Sequence, residues 1–156
     1  MSQPSPSDPI DRLLSIHATT RHHLEALTTS SPPSPQTLIG WMEGPARIAH
    51  DILEQSLFPA LIESMAGSDA VCLKGMTGGL AHDRAALDRQ WQQTVRPALT
   101  DSPTADGPAA CTAWVHDYLD WLSRADEELL PMAARLLDDT ALDDLASACG
   151  RLDGLD

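Results

Sequence analysis

The sequence predicts an all-α fold, and two observations support this prediction. Apolar residues recur at the i, i+3, i+4 and i+7 positions that line one face of a helix, and the alternation of β-branched residues typical of strands is rare. The chain has 156 residues with a hydrophobic content of 42%, which suffices for one domain with one core. We therefore expect a helical domain over residues 9–156, preceded by a disordered N-terminal tail over residues 1–8.

Helix starts are marked where Ser or Asp precedes Pro, because the side chain caps free N–H groups and Pro fits the first turn. Such signals lie at Asp8-Pro9, Ser34-Pro35 and Ser102-Pro103, and a fourth start lies at Ser68-Asp69. They predict four helices over residues 9–29, 35–66, 69–100 and 104–138, with a short fifth helix beginning near Asp139. Short loops favour antiparallel neighbours, so we expect an up-down-up-down four-helix bundle with a short C-terminal fifth helix.

The chain is acidic, with 23 Asp and Glu residues against 10 Lys and Arg residues and a net charge of -13. This charge repels nucleic acid and anionic membranes, and we expect neither as a partner. The sequence has neither the apolar run of roughly 20 residues that spans a membrane nor the features of a signal peptide, so we expect a cytoplasmic protein. The cysteines Cys72, Cys111 and Cys149 form no CxxC pair, and we interpret them as buried or half-buried thiols.

Two segments carry acidic residues followed by a Leu-Phe-Pro or Leu-Leu-Pro step, His50–Leu61 and Asp126–Ala133. This double pattern resembles the second and fourth helices of the hemerythrin-like (HHE cation-binding) domain family, and the similarity covers roughly residues 10–137. The resemblance implies a four-helix bundle built around two metal ions. It also implies the usual ligands: a His on the first helix, a His and a Glu one turn apart on the second, a His on the third and a second His/Glu pair on the fourth.

Of the six ligand positions that the resemblance implies, one keeps a ligand-type residue, His17, which lies near the apolar stripe of its helix. Counted from the shared motifs, the other positions hold Ala49, Leu53, Arg84, Trp121 and Ala125. Leu53 and Trp121 are large enough to fill the space of a lost metal site, which close-packed interiors would otherwise leave as a costly void. The guanidinium of Arg84 cannot ligate a cation and repels it. The resemblance therefore implies a degenerate metal site that holds no cofactor.

Other ligand-type residues lie close to these positions but off the apolar stripes. His50 and Glu54 each fall one residue after a predicted ligand position, a rotation of about 100°, and we interpret them as surface residues. His82 lies opposite the apolar stripe of its helix and should face solvent. Asp126 and Glu127 are predicted on an acidic outer face. If a metal is bound after all, we expect iron held by His17, His50, Glu54 and His82.

Three functions follow from these patterns. The first is a non-enzymatic interaction or regulatory module, whose partner is an unknown protein or a second copy of the chain. The second is an iron- or oxygen-binding protein with a rearranged ligand set. The third is a binder of small anions held by Arg84 and His17, although an internal salt bridge of Arg84 with Glu25, Glu43, Asp83 or Asp117 is favoured over a ligand. The sequence contains no Ser/His/acid set and no phosphate-binding loop, so we expect no enzymatic activity.

Overall fold

The computed structural model describes residues 8–29, 34–64, 68–100 and 107–153, and within these ranges all regular structure is helical. The helices, in chain order, are α1 (Pro9–Leu27), α2 (Pro35–Glu43), α3 (Pro45–Ile52), α4 (Phe58–Ser64), α5 (Ser68–Gln90), α6 (Arg96–Thr100), α7 (Gly107–Arg124), α8 (Leu130–Leu136) and α9 (Asp139–Cys149). A short 3₁₀ turn, Gly150–Leu152, follows α9. The predicted all-α class is therefore confirmed for the described part of the chain.

The capping signals place two helix starts where the sequence predicts them. The Asp8 carboxylate accepts a hydrogen bond from the Ile10 N–H at 2.8 Å, with Pro9 as the first helical residue. The Asp138 carboxylate accepts one from the Ala141 N–H at 2.8 Å and starts α9, which confirms the fifth helix. Residues 1–7 of the predicted tail and the predicted start at 102–103 lie outside the described residues. Asp8 belongs to the cap of α1 rather than to a tail.

Three helical segments widen into π turns before a proline, Leu53–Leu57, Trp91–Val95 and Ala125–Leu129. Proline has no N–H, and its ring would collide with the carbonyl four residues earlier in a regular helix. In each π turn the residue just before the proline donates instead to the carbonyl five residues earlier, as the Phe58 N–H does to Leu53. The wider turn lets the chain pass Pro59, Pro97 and Pro131 without ending the helical segment.

The second predicted helix, over residues 35–66, is interrupted at Gly44, which separates α2 from α3. The following residue, Pro45, disfavours a helical conformation of its predecessor. A Cβ atom at Gly44 would lie only 2.8 Å from the backbone oxygen of Gly40, so the turn requires a residue without a side chain. The prediction of one continuous helix is wrong at this point.

The helices share one apolar core, with Trp114 and Trp121 as its largest fully buried side chains. The first helix, α1, packs against α3, α7 and α9, and α5 packs against α4 and α7. Among the described residues, Val71 is the one large apolar residue that is exposed. Cys149 is buried and Cys111 half-buried as predicted, whereas Cys72 is exposed, so the prediction fails there. Within the described residues, no helix combines the length and the apolar character needed to cross a membrane.

The steric role of Gly44 gives a test of the helix break. Gly44→Ala should lower the free energy of unfolding by about 1 to 3 kcal/mol, because the added methyl group meets a backbone oxygen that cannot move aside cheaply. Chemical denaturation monitored by circular dichroism measures the change. Gly79→Ala is the matched control: a Cβ there meets no atom within 4 Å, and alanine should stabilise α5 by up to about 1 kcal/mol. Equal effects of the two substitutions would contradict the interpretation.

Candidate functional site at the centre of the helices

Trp121 occupies the centre of the helices and is 1% exposed, which confirms its predicted burial. Its indole N–H donates to the backbone oxygen of Leu80 at 2.9 Å, so it joins α7 to α5. Its ring meets His17, His50 and Tyr118 edge to face, with centroid distances of 6.2, 4.8 and 6.3 Å. Edge-to-face contacts of this kind are favourable for aromatic rings. Trp121 therefore contacts all three of these polar side chains of the core.

Three further predicted positions are apolar and closed to solvent. Ala49 and Ala125 have no exposed surface, and Leu53 is 1% exposed. None of these side chains can donate a lone pair to a metal. Together with Trp121, they make four of the six predicted ligand positions apolar and buried.

His17 is fully buried and is held by an acidic residue of the π turn that ends α7. Its Nδ1 lies 2.5 Å from Oδ1 of Asp126, and Nη2 of Arg21 lies 2.5 Å from Oδ2 of the same carboxylate. Because the carboxylate only accepts, His17 donates from Nδ1. The Asp126 side chain is 9% exposed, so the prediction that it lies on an outer acidic face is wrong, whereas Glu127 is exposed as predicted.

His50 is 5% exposed, so its prediction as a surface residue is also wrong. That prediction assumed one continuous helix over residues 35–66, but the break at Gly44 separates α2 from α3. The third helix packs against both α1 and α9, which widens its buried face. Nε2 of His50 hydrogen-bonds the Tyr118 hydroxyl.

Burial governs the ionisation of this His50–Tyr118 pair. The pKa of His50 is well below its ordinary value, because burial disfavours the charged ring and the nearby His17 and Arg84 disfavour it further. Burial likewise raises the pKa of Tyr118. Both side chains are therefore neutral at neutral pH.

Arg84 forms a two-pronged ion pair with Glu54, with Nε–Oε1 at 2.6 Å and Nη2–Oε2 at 2.9 Å. The side chains are 20% and 25% exposed, and the hydrogen bonds to Glu54 raise the pKa of Arg84. The predicted internal salt bridge thus exists, but with a partner other than those expected. Glu43 pairs with Arg96 and Asp83 with Arg124.

The alternative metal set of His17, His50, Glu54 and His82 is not brought together. His82 is exposed, as predicted, and so is His116. Among the described residues no three His, Cys, Asp or Glu side chains converge on a point that could hold a metal ion. The rings of His17 and His50 do lie close, with centroids 6.3 Å apart.

Sequence reasoning missed the roles of Asp126, Arg21 and Tyr118. One signal was available: Arg21 follows His17 by four residues and so shares its helix face. The sequence also shows that His50, Glu54 and Asp126 each come directly after a predicted ligand position that holds an apolar residue (Ala49, Leu53 and Ala125). These three residues are thus displaced by one residue from the predicted positions, whereas His17 is not.

Comparison with known proteins provides no relative: no protein-family model, no curated protein and no solved structure matches this chain.

Trp121→Ala should lower the free energy of unfolding by about 3 to 5 kcal/mol, because it removes the largest side chain at the centre and a buried hydrogen bond. Urea denaturation monitored by far-UV circular dichroism measures the loss. His82→Gln, at an exposed position, is the control and should stay within about 0.5 kcal/mol of wild type. A loss below about 1 kcal/mol for Trp121→Ala would contradict the central position of the ring.

The lowered pKa of His50 makes stability depend on pH in a definite direction. In the unfolded chain His50 titrates near its ordinary pKa of 6.5, and in the native protein it titrates lower. Below pH 6.5 the unfolded state therefore binds the proton more readily, and the free energy of unfolding should fall by up to about 1.4 kcal/mol per pH unit from this group. Well above pH 6.5, where His50 is neutral in both states, this group should no longer lower the free energy of unfolding.

Denaturation at several pH values between 7 and 5 measures this slope. His50→Gln removes the titrating ring and should make the slope shallower, whereas His116→Gln, at an exposed position, should leave it unchanged. An unchanged slope in His50→Gln would show that other groups cause the pH dependence.

Proposed function

We propose that the chain is a hemerythrin-like up-down-up-down four-helix bundle that has lost its di-metal site and serves as a non-enzymatic interaction or regulatory module. One observation carries the proposal. The carboxylate that binds His17, Asp126, is also bound by Arg21, and Glu54, one turn after His50, is bound by Arg84. The positive charge that a metal ion supplies in the related bundles is here supplied by the protein itself.

The electrostatics of this arrangement oppose a cation. Carboxylates in a metal site are neutralised by the metal, which is the largest local charge. Here the guanidinium groups of Arg21 and Arg84 already neutralise Asp126 and Glu54, and guanidinium stays protonated in proteins. A divalent cation at the centre would either break the ion pairs that Arg21 and Arg84 form with these carboxylates or be repelled by the two guanidinium groups. The residues present therefore do not fit a di-metal centre.

Burial of the central groups supports a non-enzymatic role. A general acid or base must come within hydrogen-bond reach of its substrate. His17 has no exposed surface, and its Asp126 partner is 9% exposed on its side chain. Trp121 packs against the imidazole and occupies the adjoining space. The His17–Asp126 pair thus acts as a structural contact between α1 and the end of α7.

Charge favours a partner of opposite sign over a second copy of the chain. Each copy carries a net charge of -13, so self-association has to overcome mutual repulsion. Among the described residues, Val71 is the one large apolar side chain that is exposed. The described surface therefore shows no cluster of large apolar side chains for a second copy to bind. We therefore propose a basic protein surface as the partner, held by contacts that weaken as salt is added.

One observation favours the alternative of an iron-binding protein. Nε2 of His17 and Nδ1 of His50 are buried and have no hydrogen-bond partner among the described residues, and the two rings are neighbours. Two nitrogens fall short of the three or four ligands that a bound iron or zinc needs. The other two predicted ligands do not add to this set, because Glu54 is paired with Arg84 and His82 is exposed.

The alternative of a small anion bound by Arg84 and His17 is also disfavoured, because Nε and Nη2 of Arg84 are bound to Glu54.

Metal analysis tests the metal-free proposal. Protein purified without a tag should contain no stoichiometric iron, zinc or manganese by mass spectrometry, and ferrous iron should leave its melting temperature unchanged, because a ligand that does not bind the native state cannot stabilise it. One metal equivalent per chain, lost in His17→Ala and retained in His82→Gln, would overturn the proposal and support the iron-binding alternative.

The same metal-free sample tests the interaction role. Sedimentation over a range of protein concentrations should show a monomer at low salt, where repulsion between copies is strongest. A basic polypeptide should associate with it at low salt and dissociate as salt is added. Dimers that persist at low salt would contradict the preference for a basic partner.

A further inference from the structure

Four aromatic side chains form a continuous row through the core, the aromatic row of Trp91, Trp114, Tyr118 and Trp121. The last three share one face of α7, because residues three and four apart in a helix are neighbours. Trp91 begins the π turn Trp91–Val95, which packs against α7. The ring centroids are 5.1 Å apart from Trp91 to Trp114, 5.3 Å from Trp114 to Tyr118 and 6.3 Å from Tyr118 to Trp121. Each ring therefore contacts the next.

The aromatic row is suited to carry an electron between its buried part and the surface. Tryptophan and tyrosine are among the side chains that lose a single electron most easily. Electron transfer between rings in contact is fast, because tunnelling falls off exponentially with distance. Trp91 and Trp114 line a small pocket together with Arg47 and Asp88, whose side chains are 44% and 37% exposed. The row thus connects the buried Tyr118 with an end that lies close to solvent.

The rings of the row differ in what can happen to the proton after an electron is lost. An oxidised indole or phenol is a much stronger acid than the neutral ring, so the radical settles where a base can take the proton. The indole N–H groups of Trp114 and Trp121 donate to the backbone oxygens of Leu87 and Leu80, which are not bases. The indole N–H of Trp91 has no partner among the described residues.

Tyr118 differs from these three tryptophans because its proton has a basic acceptor. Among the described residues its hydroxyl hydrogen-bonds only Nε2 of His50. If Nε2 donated to the hydroxyl, the hydroxyl hydrogen would have no acceptor on a side chain that is 4% exposed. The arrangement in which Nε2 accepts is therefore favoured, because buried donors are costly to leave unpaired. The phenolic proton then points at a lone pair of the imidazole.

We propose that Tyr118 is a redox-active tyrosine that stores one oxidising equivalent. A one-electron oxidant at the surface, such as an organic radical or an oxidised metal complex, takes an electron from Trp91 or Trp114, and Tyr118 replaces that electron. The phenolic proton moves to Nε2 of His50. The products are the reduced oxidant, a neutral phenoxyl radical and an imidazolium ring. A one-electron donor outside the protein reverses both transfers.

The surroundings of His50 favour return of the proton after Tyr118 is reduced. Burial lowers the pKa of His50, and the nearby His17 and Arg84 lower it further, so the imidazolium is unfavourable at this position. The forward transfer still occurs, because an oxidised phenol is a far stronger acid than an imidazolium ring. This redox role is the same whether or not the protein binds a metal or a partner.

Electron paramagnetic resonance identifies the radical directly. A photoexcited ruthenium tris-bipyridine complex, with a cobalt(III) ammine as electron acceptor, oxidises the wild-type protein, which is then frozen. The spectrum should be that of a neutral tyrosyl radical, and it can arise only from Tyr118, because the sequence contains a single tyrosine. In protein equilibrated with heavy water, an exchangeable deuteron should couple to the phenoxyl oxygen. Tryptophanyl radicals alone, no protein radical, or no such coupling would overturn the proposal.

His50→Gln tests the proton acceptor. A glutamine amide can hydrogen-bond the phenol but cannot take its proton, so the tyrosyl signal should be lost and a tryptophanyl signal should replace it. His116→Gln, at an exposed position, is the control and should keep the tyrosyl yield of the wild type. Circular dichroism checks that each variant is folded at the pH used. An undiminished tyrosyl yield in folded His50→Gln would contradict the role of His50.

Two substitutions of tryptophan by phenylalanine test the path of the electron. Trp114→Phe removes the link between Trp91 and Tyr118, because phenylalanine is much harder to oxidise, and should slow formation of the tyrosyl radical after a laser flash. Trp41→Phe is the matched control, because Trp41 stacks on His23 outside the aromatic row, and it should leave the rate unchanged. An unchanged rate in Trp114→Phe, or an equal loss in both variants, would contradict the path.

Discussion

The packing of Trp121 at the centre is the constraint on which the other core contacts depend. The indole fills the middle of the core, and its single polar atom is satisfied by the Leu80 carbonyl across the helix interface. Because protein interiors are close-packed, the neighbouring polar groups are confined to the space around the ring. His17 and His50 both meet the ring edge-on and find their polar partners farther out, in Asp126 and Tyr118. One large side chain thus orders two histidines without binding either.

The carboxylates that complete this core both lie in π turns, and the cause is local. Glu54 is the second residue of the turn Leu53–Leu57, and Asp126 is the second residue of the turn Ala125–Leu129. Each turn exists because a proline follows and removes a regular helical hydrogen bond. A backbone effect of Pro59 and Pro131 therefore shapes the segments from which the two carboxylates reach Arg84 and Arg21. Partly buried ion pairs of this kind add little net stability, but they penalise alternative packings that would separate the partners.

Features encoded by neighbouring residues were predictable from the sequence, and features that depend on distant contacts were not. The starts of α1 and α9 follow from Asp8 and Asp138, whose side chains cap the next turn. The burial of Trp121 agrees with the prediction that its large side chain fills space inside the core. The errors at His50 and Asp126 have a common cause, because both predictions assumed uniform helices with a fixed angle per residue. The break at Gly44 and the π turns violate that assumption, and the choice of Glu54 as the partner of Arg84 depends on how two helices pack.

A core completed by the chain's own arginines has a consequence for stability in the cell. When a structural metal holds a fold together, the free energy of metal binding is part of the free energy of folding, so stability follows the metal supply. Here Arg21 and Arg84 pair with Asp126 and Glu54, so under the proposed metal-free function the neutralising charge belongs to the chain itself. Protons still affect stability through His50, because burial lowers the pKa of its ring. A bundle built in this way can present the same surface to a partner whether metal is scarce or abundant, which suits an interaction module better than a sensor of iron.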